Sequence, residues 1–253
     1  MATRQGSSVP RRGRQAQRRP QRGLFVLGFL ALLILILITS VALVGRNRTE
    51  QLASGGGDAS VLVSELPAPA SAEPNGRAWG PKDAPIQVIE YVDYECESCG
   101  YFAKNYEHDV VAAFANTGKV RFEIRNVPFH GEGARNAAEA AYCAAEQNSF
   151  WPMHDSLFLN QPTHEGGGMD AFSDAKLNAM ASRLGMETGA FQQCLASGKY
   201  TQQVADDYNT ALRNQVTGTP TFVVNSKVYV GPQSVDDFRR IFAEVAPDVT
   251  FSS

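Results

Sequence analysis

Cys96-Glu97-Ser98-Cys99 is the segment of this sequence best equipped for chemistry. At that spacing one cysteine can attack a partner's sulfur while the other resolves the mixed disulfide. The residues before it, Ile86 to Tyr94, are rich in β-branched and aromatic types and predict a strand. After it, Cys99, Phe102, Tyr106, Val110 and Phe114 recur at helical spacing and predict a helix over Ser98 to Ala115. Cys96 therefore falls where a strand gives way to a helix. The first N–H groups of a helix have no partner within it and carry partial positive charge. Both effects favour a thiolate on Cys96 and lower its pKa. Half of a zinc site and a purely structural disulfide are the competing readings. Zinc needs two further ligands, and neither Cys143 nor Cys194 has a Cys or His neighbour at ligand spacing. A structural disulfide would not explain the strand-to-helix placement. His108, His130 and His164 suggest no metal site either, so no metal is expected.

Three further positions bear on this pair. Glu90 shares a strand face with Ile86, Val88 and Val92. A carboxylate on an apolar strand is costly to ionise, so its pKa should rise, and a raised pKa suits a proton acceptor for Cys99. The alternative is a glutamate at a solvated strand edge. Thr219-Pro220 lies in Gly218-Thr219-Pro220-Thr221, which reads as a tight turn at a strand start. An X–Pro bond there can be cis, and an ordinary turn fits the spacing equally well. Glu95 and Glu97 flank Cys96 with negative charge, which opposes the thiolate.

The elements that must position these residues follow in order. Val120 to Val127 is a second strand, joined to the first by the helix and the stop at Gly118, which implies a right-handed parallel crossover. Both faces of the first strand are largely apolar, as in a central strand covered on each side. A helical stretch of roughly 134–213 follows, with a break near Asn160-Gln161-Pro162 and a Gly166-Gly167-Gly168 loop. Thr221 to Val224 and Lys227 to Val230 form a hairpin around Asn225-Ser226. Val235 to Val245 closes the chain as an amphipathic helix. The order is β-α-β, a helical insert, then β-β-α, and no internal repeat is evident.

The chain ahead of this domain differs in composition. Residues 1–23 form an Arg-rich tail, with seven Arg and no acid in the first 22 residues. Residues 24–44 are 21 without a charge, long enough to cross a bilayer as a helix. Arg-rich flanks stay cytoplasmic, so the N-terminus is expected inside and the rest outside. The rival is a cleaved signal peptide, for which Ser40-Val41-Ala42 is a weak site, although the run exceeds a usual cleavable core. Residues 45–78, with Gly55-Gly56-Gly57 and the Pro/Ala stretch Leu66-Pro67-Ala68-Pro69-Ala70, read as a flexible linker, and 79–253 as the folded domain. Residues 1–48 hold nine of the 23 basic residues, while the remainder holds 14 basic against 26 acidic. That acidic balance argues against nucleic acid as a partner. All four cysteines follow the span, on the side where disulfides persist, and their even number suggests pairs.

Ile89 through Cys99, taken with Gly218-Thr219-Pro220-Thr221-Phe222, resembles the DsbA-like branch of thioredoxin-fold proteins, in its membrane-anchored bacterial form. The resemblance covers about residues 79–247. It implies an α/β thioredoxin-like fold with a helical insertion. It implies Cys96 as nucleophile, Cys99 as resolving cysteine, Glu90 as the acid near them, and a cis Pro220 that faces the disulfide with Thr219 and pairs with an extended substrate segment. Some members pair cysteines at positions like Cys143 and Cys194, which implies a structural disulfide across the insert. His154 resembles a packing position. The implied activity is disulfide formation in reduced exported proteins, with a membrane reoxidant of DsbB or VKOR type and no soluble cofactor. DsbA has His where this chain has Ser98, and with the flanking acids this predicts a weaker oxidant. The alternatives are a tethered reductase or isomerase and, in another class, a non-catalytic thioredoxin-fold binding or scaffold protein. Isomerases of this fold generally dimerise through an added domain. None is evident, so a monomer is expected.

Overall fold

The computed structural model describes residues 61–65, 76–162, 172–232 and 234–251. The expected tail, the 24–44 span, most of the 45–78 linker, His164 and the Gly166–Gly168 loop lie outside these residues. Among the described residues no helix is long and apolar enough to cross a membrane.

Strand β1 is Ala78–Trp79, β2 Ile86–Val92 and β3 Val120–Asn126. Between β2 and β3 run helix α1, Glu97–Phe102, a π-helical turn, Ala103–Glu107, and helix α2, His108–Phe114. The insert holds α3 Glu132–Ala145, α4 Phe150–Leu159, α5 Asp174–Arg183, α6 Thr188–Ala196 and α7 Thr201–Arg213. Strands β4 Thr221–Val224 and β5 Lys227–Val230 and helix α8 Val235–Val245 complete the domain. The sheet order is β1-β3-β2-β4-β5. Strands β2 and β3 run parallel, with Glu90 opposite Ile124, and β4 lies antiparallel to β2, with Phe222 opposite Glu90. The central place of β2 follows from its apolar residues on both faces, since each needs a helical layer over it.

One sheet face carries Val88, Glu90, Phe122, Ile124 and Phe222. Helices α1, α2 and α8 cover it through aromatic pairs, with Phe102 5.1 Å from Phe222 and Phe238 5.0 Å from the same ring. On the other face Tyr91, Val127, Val216 and Val223 pack with Ala211 of α7. The hairpin turns on Asn225 and Ser226, both at positive φ (45° and 79°), the conformation that suits the twist of paired strands.

Three features depart from the sequence reading. The first strand ends at Val92, not Tyr94, because the Asp93 side chain accepts from the Glu95 N–H at 2.8 Å and turns the chain. The helix read as continuous over Ser98 to Ala115 is broken by the π turn, which carries burial from Phe102 to Glu107. Finally, contacts reach back before Trp79. The Arg77 carbonyl accepts from the Ile124 N–H at 3.0 Å, and Leu62 exchanges two hydrogen bonds with the Asn160 side chain (2.8 and 2.7 Å).

Helix α3 is rich in buried alanine, which lets neighbouring helices approach closely. Cys143 of α3 and Cys194 of α6 are joined in a disulfide, with Cα atoms 5.8 Å apart.

Candidate active site

Cys96 caps the N-terminus of α1 with extended backbone, φ −79° and ψ 118°. Its N–H is held by the Asp93 carbonyl at 3.0 Å. The side chain of Gln161, just past α4, donates to the carbonyls of Cys96 (2.6 Å) and Tyr94 (3.1 Å) and so fixes the loop from the insert side. A side chain at Gly100 would overlap this glutamine, so position 100 has room only for glycine while the tie is in place.

The two cysteines are free and differ sharply in environment. The Cys96 thiol is drawn down to about 5: the hydrogen bond from Cys99 contributes most, burial opposes it, and a hydrogen bond with Thr219 and the N–H groups of Cys99 and Ser98 add to it. Cys99 is only 1% exposed, and burial, followed by the neighbouring Cys96, pushes its thiol well up. The flanking acids Glu95 and Glu97 are therefore outweighed at Cys96. The peptide bond between Thr219 and Pro220 is cis, and the Thr219 carbonyl lies 3.1 Å from the Cys96 sulfur. Thr221 pins this turn by donating to the Gly218 carbonyl at 2.6 Å.

Glu90 is 2% exposed, on the central strand beneath α1 rather than at an edge. Burial first, then the charge of Glu107, raises its carboxyl well above the usual range. The fold thus brings Cys96, Cys99, Thr219 and Pro220 together, sets Glu90 beneath α1, and leaves Cys143 and Cys194 in the insert.

Asp93, His130, Glu107 and Gln161 shape the site without a role in the sequence reading. Asp93, buried, accepts from both the N–H and Nδ1 of His130, at 3.0 and 2.8 Å. Burial works against a charged His130, but Asp93 and then Cys96 raise its pKa overall. His154, wholly buried, does more than pack: its Nδ1 meets the Tyr94 hydroxyl at 3.0 Å and its Nε2 meets Glu107 at 3.1 Å. A regular helical period puts Tyr106 in the apolar stripe and leaves 107 beside it, so no signal in the sequence marked Glu107. His130 and Gln161 gave none, since each meets the site from a distant segment. Among the described residues no cluster of His, Cys, Asp and Glu is arranged to hold a metal ion.

A thioredoxin family model matches residues 72–244. The chain is 36% identical over 159 residues to Na(+)/H(+) antiporter NhaA 3 of Salinispora tropica, an alignment that takes in 62% of this chain and 22% of the antiporter. It is 31% identical over 163 residues to Disulfide bond formation protein D of Bacillus subtilis, covering 64% of this chain and 72% of that protein. The structure of oxidised BdbD from B. subtilis matches with a TM-score of 0.60 at 28% identity, over 69% of this chain and 96% of BdbD. The chain therefore spans about a fifth of the length of its antiporter relatives and most of the length of the disulfide-forming ones.

Proposed function

This chain belongs to the thioredoxin family, and from that premise we propose that it is a DsbA-like disulfide oxidoreductase that introduces disulfides into exported proteins. The observation that carries the reading is the asymmetry of the pair: Cys96 at a helix N-terminus with its thiol near 5, against the buried Cys99. A thiolate that stable leaves readily, so the oxidised pair gives its disulfide away.

The reaction proceeds in two exchanges. A substrate thiolate attacks Cys96 Sγ of the Cys96–Cys99 disulfide, and Cys99 leaves and takes up a proton, with Glu90 as the donor. A second substrate thiolate then attacks the substrate sulfur of the mixed disulfide. The substrate leaves oxidised, and Cys96 leaves as thiolate. Thr219 and Pro220 bind the extended substrate segment beside Cys96. Cys143–Cys194 is structural and takes no part. A membrane partner of DsbB or VKOR type returns the pair to the disulfide. Residues 24–44 tether the domain to the cell membrane, N-terminus inside and catalytic domain outside, and it works as a monomer. The uncharged run and its Arg-rich flank support this placement.

The deciding measurement is the reduction potential of Cys96–Cys99 in the full chain, equilibrated in glutathione buffers and read by thiol alkylation. A potential well above the glutathione poise is expected, together with loss of exchange in Cys96→Ala. A potential near that of thioredoxin would make the protein a reductant and overturn the oxidase reading.

A further inference from the structure

Residues 61–65 lie in the stretch that composition assigns to a linker, yet they are stitched to the helical insert. Val61 is 1% exposed, and its carbonyl accepts from Arg183 of α5. The Leu62 N–H donates to Asn160 Oδ1 at 2.8 Å, and Asn160 Nδ2 donates back to the Leu62 carbonyl at 2.7 Å. Ser64 adds two more bonds, from its N–H to Ser156 Oγ and from its hydroxyl to Asp155, each at 3.0 Å. This strap therefore grips the last turn of α4 and its cap, Asn160. The other Nδ2 hydrogen of Asn160 goes to the Ser156 carbonyl at 2.7 Å, so the amide is fully engaged.

Gln161 comes next in the chain. Both hydrogens of its amide are committed to the loop that carries the nucleophile, at the carbonyls of Cys96 (2.6 Å) and Tyr94 (3.1 Å). The Cys96 carbonyl also accepts the first hydrogen bond of α1, from the Gly100 N–H at 3.1 Å. Gln161 thus holds the peptide from which α1 starts. The N–H groups of Ser98 and Cys99 that favour a thiolate on Cys96 belong to that first turn. Gln161 bonds to carbonyls, so it acts on the sulfur through the backbone.

We propose that Gln161 is a positioning residue for Cys96, and that the strap 61–65, bonded to Asn160, keeps Gln161 in place. With the strap docked, the first turn of α1 is held against Cys96 Sγ; with it undocked, that turn is released. The inference rests on the nucleophilic role proposed for Cys96 but not on the direction of electron flow in the cell. The ionisable groups around Cys96 are Cys99 and Glu97 on α1, Glu95 before it and His130 ahead of α3, and the variants below alter none of them.

The test is the ultraviolet absorbance of the Cys96 thiolate in the reduced full-length chain, followed against pH. Gln161→Ala is expected to raise the midpoint by about one pH unit, which lowers the thiolate fraction below it about tenfold. Gly100→Ala should do the same with Gln161 present, since the added methyl takes the place of the glutamine carbonyl and turns that flexible side chain out. Alanine favours a helix over glycine, so a weakened α1 cannot account for such a rise. Either variant suffices if the other does not fold, and the two combined should shift the midpoint no further than one alone. Leu62→Pro and Asn160→Ala break the strap from its two sides. The Leu62 side chain is 55% exposed, so the proline removes little beyond the N–H. Each should raise the midpoint by about half a unit, and neither should add to Gln161→Ala. A midpoint unmoved by either of the first two variants, or by both strap variants, overturns the proposal while the exchange chemistry stands. So does a strap effect that persists without Gln161. A wild-type Cys96 that titrates as an ordinary thiol overturns the proposed function, and this inference with it.

Discussion

Cys96 and Cys99 are one helical turn apart, yet only the first is acidic, because the Cys99 thiol and, after it, the backbone N–H groups of Cys99 and Ser98 favour a thiolate on Cys96 while Cys99 itself is closed off from solvent. That asymmetry fixes a pH dependence. Above about pH 5 the reduced pair holds one proton, so its potential should fall by about 30 mV per pH unit. Below it both thiols are protonated, and the slope should steepen to about 59 mV per unit. A steep slope persisting to pH 7 would mean that Cys96 is an ordinary thiol. Glu97 is exposed in the first turn of α1. Removing its charge in Glu97→Gln should favour the thiolate and raise the potential by about 10 mV, since solvent screens it; an unchanged value would show that the charge does not reach Cys96. The placement of the cysteine pair and of the buried Glu90 was legible in the sequence because strand, acid and cysteines are contiguous there. Gln161 was not, because it acts on Cys96 from 65 residues away and only the folded insert brings it there.

The hairpin and α8 were readable for local reasons: Asn225-Ser226 suits a tight turn, and Ser234 caps α8 by accepting from the Asp237 N–H at 3.1 Å. The π turn escaped a reading based on a regular helical period, since its inserted residue is visible only as a mismatch between Tyr106, half-buried, and Glu107, buried. The disulfide from α3 to α6 is an element-scale constraint of the same kind, with cysteines 51 residues apart and no local pattern linking them. Replacing both by alanine should destabilise the domain by about 4 kcal/mol from the freed loop entropy. Denaturant unfolding of the variant with Cys96–Cys99 kept reduced checks this, and an unchanged midpoint would show that the insert holds without the bond.

Across the whole molecule, the order β1-β3-β2-β4-β5 places the first described strand at one sheet edge and the last at the other. The central place of β2 was legible from its apolar faces. The two-residue β1 was not, because its pairing with β3 depends on residues that composition assigns to a linker. Arg77, beside β1, makes that edge part of the fold: it pairs with Asp207 of α7 at 2.8 Å and Glu123 of β3 at 3.2 Å and bonds to Tyr142 of α3. Arg77→Leu should cost about 3 kcal/mol, since it removes the cation paired with the buried Asp207. Thermal melts of the full chain would show this, and a melt matching the wild type would mean that Tyr142 and Gln203 satisfy Asp207 without the arginine. The Cys143–Cys194 bond is sunk between α3 and α6 of one chain. A newly made chain lacks it and must receive it from a disulfide donor. Under the proposed oxidase activity, mature copies would themselves be able donors of that bond to new ones.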